Sequence, residues 1–126
     1  MMFNDKSEIP KLGPLVRANT ADRERDSERA RDYLLGNSSM PVIVAGDFNL
    51  PVESVLHRRY WDQLRDSFEA AGFGLGSTWN SRGVLLRIDR IMTGNGVQAV
   101  RSWVGPDLGS DHRPVMADLV LPRTQP

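Results

Sequence analysis

The chain has 126 residues, of which 40% are hydrophobic and 25% are charged, and these values predict one globular domain. The 16 Lys and Arg residues balance the 16 Asp and Glu residues, which argues against unspecific nucleic-acid binding through excess positive charge. The sequence contains no cysteine, so disulfides, zinc-thiolate sites and cysteine nucleophiles are excluded.

The N-terminal residues 1–13 are polar and include Pro10 and Gly13, so we predict a flexible segment that is neither a signal peptide nor an anchor. A single domain is expected over residues 14–122, followed by a tail over residues 123–126. No apolar run reaches transmembrane length, so we expect no membrane partner and a cytoplasmic location.

The first predicted elements are a short strand over residues 15–18 and a charged helix. Thr20 is the expected N-cap of this helix, which should end at Leu35 before Gly36. Charged residues dominate positions 22–32, so the helix is expected on the outside of the domain.

A continuous apolar run follows at residues 41–45, and its β-branched side chains predict a strand buried on both faces. A second helix is expected over residues 58–71, with Gly72 as its end. Its apolar residues recur at helical spacing and predict a stripe that faces the core: Tyr60, Trp61, Leu64, Phe68 and Ala71.

Three strands are predicted in the last third of the chain, over residues 85–92, 97–104 and 114–121. The Asn95-Gly96 pair is a strong turn signal and predicts a hairpin between the first two of them. The resulting order of strands and helices predicts a layered α/β fold with a mixed sheet.

The first polar cluster, Gly46-Asp47-Phe48-Asn49, stands directly after the predicted buried strand. Residues at that end of an α/β sheet project into the crevice where ligands usually bind. A carboxylate at Asp47 can orient or deprotonate a water, and an amide at Asn49 can donate to a phosphate oxygen. The alternative is a structural Asx turn ahead of Pro51.

The second cluster places Asp89 in an otherwise apolar strand, where a buried carboxylate needs a partner. Arg87 or Arg90 would make this a structural ion pair. A histidine partner would instead have its tautomer fixed and its protonated form favoured. His112 is the candidate, because the other histidine, His57, stands in a polar context and is expected on the surface.

The third cluster, Ser110-Asp111-His112-Arg113-Pro114, precedes the last predicted strand. Asp111 offers oxygen ligands of the kind that suit Mg²⁺ or Mn²⁺. A triplet of Ser, Asp and His before a strand is, taken alone, more typical of a turn than of a functional site.

Together the three clusters resemble the endonuclease/exonuclease/phosphatase superfamily, whose domains are DNase I-like. The shared motifs are strand-Gly-Asp-Phe-Asn, Arg-Ile-Asp-x-Ile and Ser-Asp-His-x-Pro-Val, and Thr78-Trp79 is also similar. The resemblance spans about residues 15–121. It implies half of a DNase I-like four-layer α/β sandwich, with a mixed β-sheet and helices on one face.

The resemblance also implies metal-dependent hydrolysis of a phosphate ester. Asp47 would activate water and, with Asp111, hold Mg²⁺ or Mn²⁺. Asn49 would bind the substrate and stabilise the transition state. Asp89 would orient His112, which would contact the scissile phosphate. Further substrate contacts are implied for Trp79 and Arg113, and the substrate is a phosphate ester, with nucleic acid as one candidate.

The family domain is considerably longer than this chain, and its first half supplies a Glu that is a principal metal ligand. The family's Asn-Thr-His-Leu segment corresponds here to residues 19–22, with Ala21 at the His position. We therefore expect a weak or incomplete metal site. An apolar sheet face without its usual cover predicts a homodimer. The alternatives are an inactive half-domain that serves binding or assembly, and one piece of a split enzyme.

Overall fold

The computed structural model describes residues 9–36, 39–49 and 55–123, and for residues 9–20 and 56–57 it describes the backbone alone. The chain divides into two compact units, Met1–Gly36 and Asn37–Pro126. The predicted N-terminal segment and C-terminal tail fall partly on residues 1–8 and 124–126, which lie outside the described residues. The boundaries at residues 13 and 122 stay predictions.

The first unit contains one long helix, α1, over Ile9–Leu35. Its predicted end is confirmed, since the N–H of Gly36 donates to the carbonyl of Asp32 at 2.9 Å. The predicted strand over residues 15–18 and the N-cap at Thr20 are wrong, because both positions lie inside the helix. A short apolar run cannot by itself separate a strand from a helix, and Pro10 in the first turn is compatible with a helix start.

The second unit begins with strand β1 over Val42–Asp47, helix α2 over Val55–Trp61, strand β2 over Arg65–Asp66 and helix α3 over Ser67–Ala71. The predicted single helix over residues 58–71 is therefore wrong. Asp66 causes the break, because its Oδ1 accepts hydrogen bonds from the N–H groups of Phe68 and Glu69 at 2.9 and 3.3 Å. This capping starts a new helix where the helical spacing of apolar residues predicted a continuous one.

The apolar stripe predicted for this region is nevertheless largely confirmed, because its large side chains are buried. Side-chain spacing still directs these residues to the core when the helix is interrupted, since each short element keeps its own apolar side inward. Gly72 ends α3 as predicted, and its N–H donates to the carbonyl of Phe68. The buried members of the stripe are Tyr60, Trp61, Leu64 and Phe68.

Five further strands follow: β3 over Trp79–Ser81, β4 over Val84–Leu86, β5 over Asp89–Gly94, β6 over Gln98–Val104 and β7 over Val115–Val120. The predictions for β6 and β7 are confirmed to within a residue or two. The single strand predicted over residues 85–92 is wrong, because the chain leaves the ladder after β4 and starts a different sheet at β5.

The described strands form three antiparallel sheets, in the orders β1-β5-β2, β3-β4 and β6-β7. The turn at Asn95 and Gly96 is confirmed, with positive φ at both residues and a hydrogen bond from the N–H of Val97 to the carbonyl of Gly94. The hairpin pairing of β5 with β6 is wrong, because both edges of β5 are occupied by β1 and β2. Every described ladder is antiparallel, which differs from the expected mixed sheet.

The core lies under the β1-β5-β2 sheet, where Met92 has no exposed surface and Val42 is buried. Burial of β1 on both faces is wrong for this chain, since Ile43 is 47% exposed and Ala45 is also exposed. One sheet face is therefore covered and the other faces outward. No helix among the described residues is both long enough and apolar enough to cross a membrane.

Candidate active site

The site begins with two carboxylates at the end of the β1–β5 ladder. Asp47 is the last residue of β1 and Asp89 the first of β5, and the ladder places them directly opposite each other. Directly opposed residues of an antiparallel pair extend their side chains from the same face. The register of the ladder therefore brings together two acidic residues that are far apart in sequence.

The partner of Asp89 is His112, whose Nδ1 lies 2.6 Å from Asp89 Oδ2. Arg87 and Arg90, the structural alternatives for Asp89, are instead seen to pair with Asp66 at 2.9 and 3.9 Å in the part of the chain that the structure describes. A carboxylate on Nδ1 fixes the ring orientation and leaves Nε2 as the atom available to a substrate.

The second ring nitrogen of His112 points toward Asp47, with 3.9 Å between Nε2 and Asp47 Oδ2. The hydrogen bond to Asp89 is the main cause that raises the pKa of His112 above its ordinary value of 6.5. Partial burial of the ring opposes this effect, whereas the negative charges of Asp89, Asp47 and Asp111 add to it. The arrangement thus favours the imidazolium form of His112 over the neutral form, which suits a group that contacts a phosphate.

The loop after β1 is held by its own polar residues. The N–H of Asn49 donates to Asp47 Oδ1 at 2.8 Å, and Asn49 has a φ of 50°. The Asx turn considered for this cluster is therefore present, and asparagine tolerates this left-handed backbone well. It leaves Asp47 Oδ2 directed at His112, so the turn and a functional role are compatible. The catalytic and substrate-binding roles of Asn49 stay predictions.

Asp111 is exposed and stands next to His112 in the sequence, but it is not among the residues whose ligand atoms converge, which are Asp47, Asp89 and His112. Its Oδ1 accepts a hydrogen bond from Ser110 Oγ at 3.4 Å, and Ser110 Oγ also accepts from the N–H of His112 at 3.2 Å. The turn considered for this triplet is thus present as well. The metal-binding role of Asp111 stays a prediction.

Two cavities meet at this loop. One, of about 530 Å³, is lined by Asp47, Asp89 and His112. The other, of about 410 Å³, is lined by Trp79 and Asp111 among others. Ser110 and Arg113 line both cavities, so the two spaces are neighbours. Trp79 and Arg113 therefore lie where a substrate bound at the first cavity could extend, and their binding roles stay predictions.

The donor set is suited to a divalent metal ion. Asp47, Asp89 and His112 can each offer one ligand atom, and these atoms all lie within 4.8 Å of one another. Carboxylate oxygens are the ligands preferred by Mg²⁺ and Mn²⁺, and two of them converge here. We call these three residues the carboxylate–histidine group.

Thr78 is buried and its Oγ1 accepts a hydrogen bond from the N–H of Asp89, although its only functional signal in the sequence is its place in a motif. A single threonine has no periodic or charge pattern that would distinguish it. The side chain of His57 lies outside the described residues, so its expected surface position stays a prediction.

Comparison with known proteins places these features in context. A model described as the Endonuclease/Exonuclease/phosphatase family matches residues 5–112. No curated protein sequence matches significantly.

Several solved structures are similar. The mannosyl-6-phosphatase of Bacteroides thetaiotaomicron shares 24% identity at a TM-score of 0.63, over 78% of this chain and 44% of that one. An endonuclease/exonuclease/phosphatase from Bacteroides vulgatus shares 22% identity at a TM-score of 0.67, over 79% and 44%. A functionally unknown conserved protein of Enterococcus faecalis shares 23% identity at a TM-score of 0.60, over 71% and 40%.

These likenesses confirm the predicted fold class, a partial DNase I-like α/β sandwich. The chain spans less than half the length of the solved chains that it matches.

Proposed function

This chain belongs to the endonuclease/exonuclease/phosphatase family, whose members are phosphoesterases in type, and we propose that it hydrolyses phosphate esters with a bound Mg²⁺ or Mn²⁺ ion. The observation that carries the proposal is the 2.6 Å hydrogen bond between His112 Nδ1 and Asp89 Oδ2, with Asp47 on the other side of the ring. This arrangement supports general acid–base catalysis and electrostatic stabilisation of a phosphate in the transition state.

In this proposal Asp89 holds the Nδ1 proton of His112, so that Nε2 donates to a phosphate oxygen as negative charge develops there. Asp47 orients the attacking water, and its side chain is more exposed than that of Asp89. Asn49 donates its amide to the phosphate. The metal ion, held by Asp47 and its neighbours with Asp111 as a further ligand, would supply charge neutralisation of the phosphate oxygens.

The substrate is proposed to be a small phosphate ester whose organic part lies in the neighbouring cavity. Trp79 offers an aromatic surface there, and Arg113 can reach either cavity. Asp107 and Asp111 line the same space, and two exposed carboxylates repel the polyanionic backbone of a nucleic acid. The similarity to a sugar phosphatase is in keeping with this choice, and nucleic acid remains the second candidate.

The test is hydrolysis of a generic phosphate monoester and a generic diester, with Mg²⁺, with Mn²⁺ and with EDTA. Asp47→Ala and His112→Asn are each expected to lower the metal-dependent rate by about 100-fold or more, the usual contribution of a positioned acid or base. Asp118→Asn is the matched control, because Asp118 is an exposed acid on β7 outside the carboxylate–histidine group. Equal rates for the parent protein and both site variants would reject the mechanism.

We also propose that the chain acts as a homodimer through its outward sheet face. The register puts Ile43, Ala45 and Ile91 on one face of the β1–β5 ladder, and Ile43 and Ala45 are exposed. Exposed apolar surface of this kind drives association, and a two-fold interface would be self-complementary. Light scattering across micromolar concentrations should show a dimer. Replacing Ile43 with Lys should yield a monomer, whereas a monomeric parent protein would contradict the proposal.

The second candidate is a half-domain that binds or assembles without catalysis, and the third is one piece of a split enzyme that a separate chain completes. Both are favoured by the observation that this chain covers 44% of the length of the two solved Bacteroides chains, so that ligands of those longer chains can lie outside the matched part. Absence of metal-dependent activity, together with activity on mixing with a complementary chain, would identify the split enzyme.

A further inference from the structure

Thr78 lies immediately before β3 and is buried, with 1% of its surface exposed. Its Oγ1 accepts hydrogen bonds from the N–H groups of Ile88 and Asp89, at 3.3 and 3.1 Å. Its N–H donates to the carbonyl of Leu86 at 3.0 Å, and its carbonyl accepts from the N–H of Arg113 at 2.6 Å. Every one of these contacts involves the main chain of a segment next to the site.

The hydroxyl of Thr78 supplies a hydrogen-bond acceptor where the chain passes from the sheet of β4 to the sheet of β5. The chain leaves one ladder at Leu86 and enters another at Asp89, and the N–H groups of Ile88 and Asp89 both need an acceptor at this junction. A buried N–H without a partner is costly. Thr78 Oγ1 accepts a hydrogen bond from each of these N–H groups, and this fixes the main chain at Asp89, the residue that pairs with His112.

The backbone carbonyl of Thr78 fixes the main chain next to His112, the other member of the pair. The N–H of Arg113 binds Thr78, and a backbone bridge joins Trp79 to His112. The segment at Thr78 and Trp79 therefore lies between the main chains of Asp89 and His112 and is bonded to both. These two residues are 23 positions apart in sequence, so nothing local to either one sets their separation.

We propose that Thr78 is a positioning residue that sets the spacing between the main chains of Asp89 and His112. In doing so it holds the hydrogen bond between Asp89 Oδ2 and His112 Nδ1 at its short length. Thr78 acts through these main-chain contacts and not on a substrate. The inference concerns the geometry of the folded protein and stands apart from the proposed function, on which only its kinetic readout rests.

The decisive comparison uses three variants: Thr78→Val, Thr78→Ser and Thr93→Val. Thr78→Val keeps the shape of the side chain and removes the hydroxyl, whereas Thr78→Ser keeps the hydroxyl. Thr93 is the matched control, because it is 2% exposed and its Oγ1 donates to a backbone carbonyl, that of Arg65, at 3.5 Å. Thr93 also lies in β5, but at the end of the strand remote from Asp89.

The primary readout is the NMR signal of the proton between His112 Nδ1 and Asp89, measured in metal-free protein. Thr78→Val should broaden this signal or shift it upfield, and Thr78→Ser should retain it. Thr93→Val should lower stability and leave the signal unchanged. An unchanged signal in folded Thr78→Val, or an equal loss in Thr93→Val, would overturn the proposal because the effect would then be absent or a general result of destabilisation.

Hydrogen exchange of the unmodified protein decides the question if Thr78→Val does not fold. The amides of Asp89 and Arg113 should open together and show protection within about tenfold of each other, as expected for one cooperative unit. Exchange of the Arg113 amide that is faster than that of Asp89 by a larger factor would show that Thr78 does not couple the two segments.

The kinetic readout applies if the protein hydrolyses a phosphate ester. Thr78→Val should then lower kcat by about tenfold with little change in KM, since a mispositioned group acts mainly on the transition state. Inactivity of the parent protein would defeat the proposed function and leave the NMR and exchange results to decide the role of Thr78. Activity with an unaltered kcat in Thr78→Val would defeat the positioning role alone.

Discussion

Two clusters of charged side chains in the second unit differ in charge balance and in exposure. The Asp66 cluster, formed by Asp66, Glu69, Arg87 and Arg90, has two acids and two bases in contact. The side chains of Asp66 and Arg90 are 5% and 0% exposed. The carboxylate–histidine group instead has two acids around one imidazole, and its members are 18% to 37% exposed.

The difference distinguishes the structural role of the Asp66 cluster from the role proposed for the carboxylate–histidine group. In the Asp66 cluster every charge has an opposite partner, and Asp66 also caps α3, so no charge remains to attract a ligand. In the carboxylate–histidine group the negative charges exceed what one imidazolium can neutralise, and a cavity gives access to them. Excess negative charge that is open to solvent attracts cations, whereas charge that is paired and buried serves to hold the folded structure in place.

The largest expected effect comes from breaking the balance of the buried cluster. Asp66→Asn should lower the free energy of unfolding by roughly 3–5 kcal/mol, because it removes the buried negative charge that faces the guanidinium groups of Arg87 and Arg90. Asparagine is itself a good N-cap, so the helix cap is retained and the loss reports the charge. Urea unfolding followed by tryptophan fluorescence measures it.

Asp118→Asn is the control for this experiment, as an exposed acid with the same chemical change. It should alter the free energy of unfolding by less than about 0.5 kcal/mol. A similar small change for Asp66→Asn would contradict the structural role of the buried cluster.

The next effect concerns the excess negative charge of the site. Mg²⁺ or Mn²⁺ at ten times its Kd should stabilise the folded protein by about 1.4 kcal/mol and raise Tm, because a ligand bound by the native state alone shifts the unfolding equilibrium. Asp47→Asn should abolish the shift. Melts that are identical with and without metal would support the non-catalytic half-domain instead.

A smaller effect is expected from the pH dependence of the His112 contact, since the ring is partly exposed and solvent screens it. The pKa of His112 is raised by folding, so the ion pair with Asp89 contributes stability below pH 6.5 and that contribution is lost as pH rises through the folded pKa. The stability difference between the parent protein and Asp89→Asn should therefore shrink with rising pH. NMR titration of metal-free protein should show a lower pKa of His112 in Asp89→Asn; an unchanged pKa would contradict the assignment.

The smallest effect is expected in the first unit, where Arg25 and Asp22 pair at 2.6 Å on α1 with both side chains about two-thirds exposed. Asp22→Asn should cost less than about 0.5 kcal/mol, the usual range for exposed helical pairs. Urea unfolding measures it, and added salt should reduce it further. A loss as large as that of Asp66→Asn would show that exposure does not explain the difference between the ion pairs.

Much of the second unit was predictable from the sequence, because its strands carry apolar β-branched runs and its turn at Asn95 carries a strong local signal. The positions of Asp47 at the end of β1 and of His112 ahead of β7 followed from the same runs, whereas Asp89 was expected inside a strand and is the first residue of β5. Their pairing was recognisable through the motifs, which also allowed His112 to be preferred over Arg87 as the partner of Asp89.

Other features depend on contacts that no local pattern encodes. The break between α2 and α3 occurs at Asp66, whose Oδ1 caps α3 and whose Oδ2 pairs with Arg87 from a distant segment of the chain. The hairpin of β5 with β6 was excluded by β1 and β2, which occupy both edges of β5. The role of Thr78 is likewise visible only when the segments it joins are brought together.

The pairing of Asp47 with Asp89 limits which changes in chain length the protein can accept. A one-residue insertion in β1 or β5 would turn one carboxylate to the opposite face. A two-residue insertion would keep the face but shift the carboxylate by about 7 Å along the strand. That shift exceeds the 4.8 Å within which the ligand atoms of the group lie. Insertions and deletions that preserve the site must therefore fall in the connections between strands.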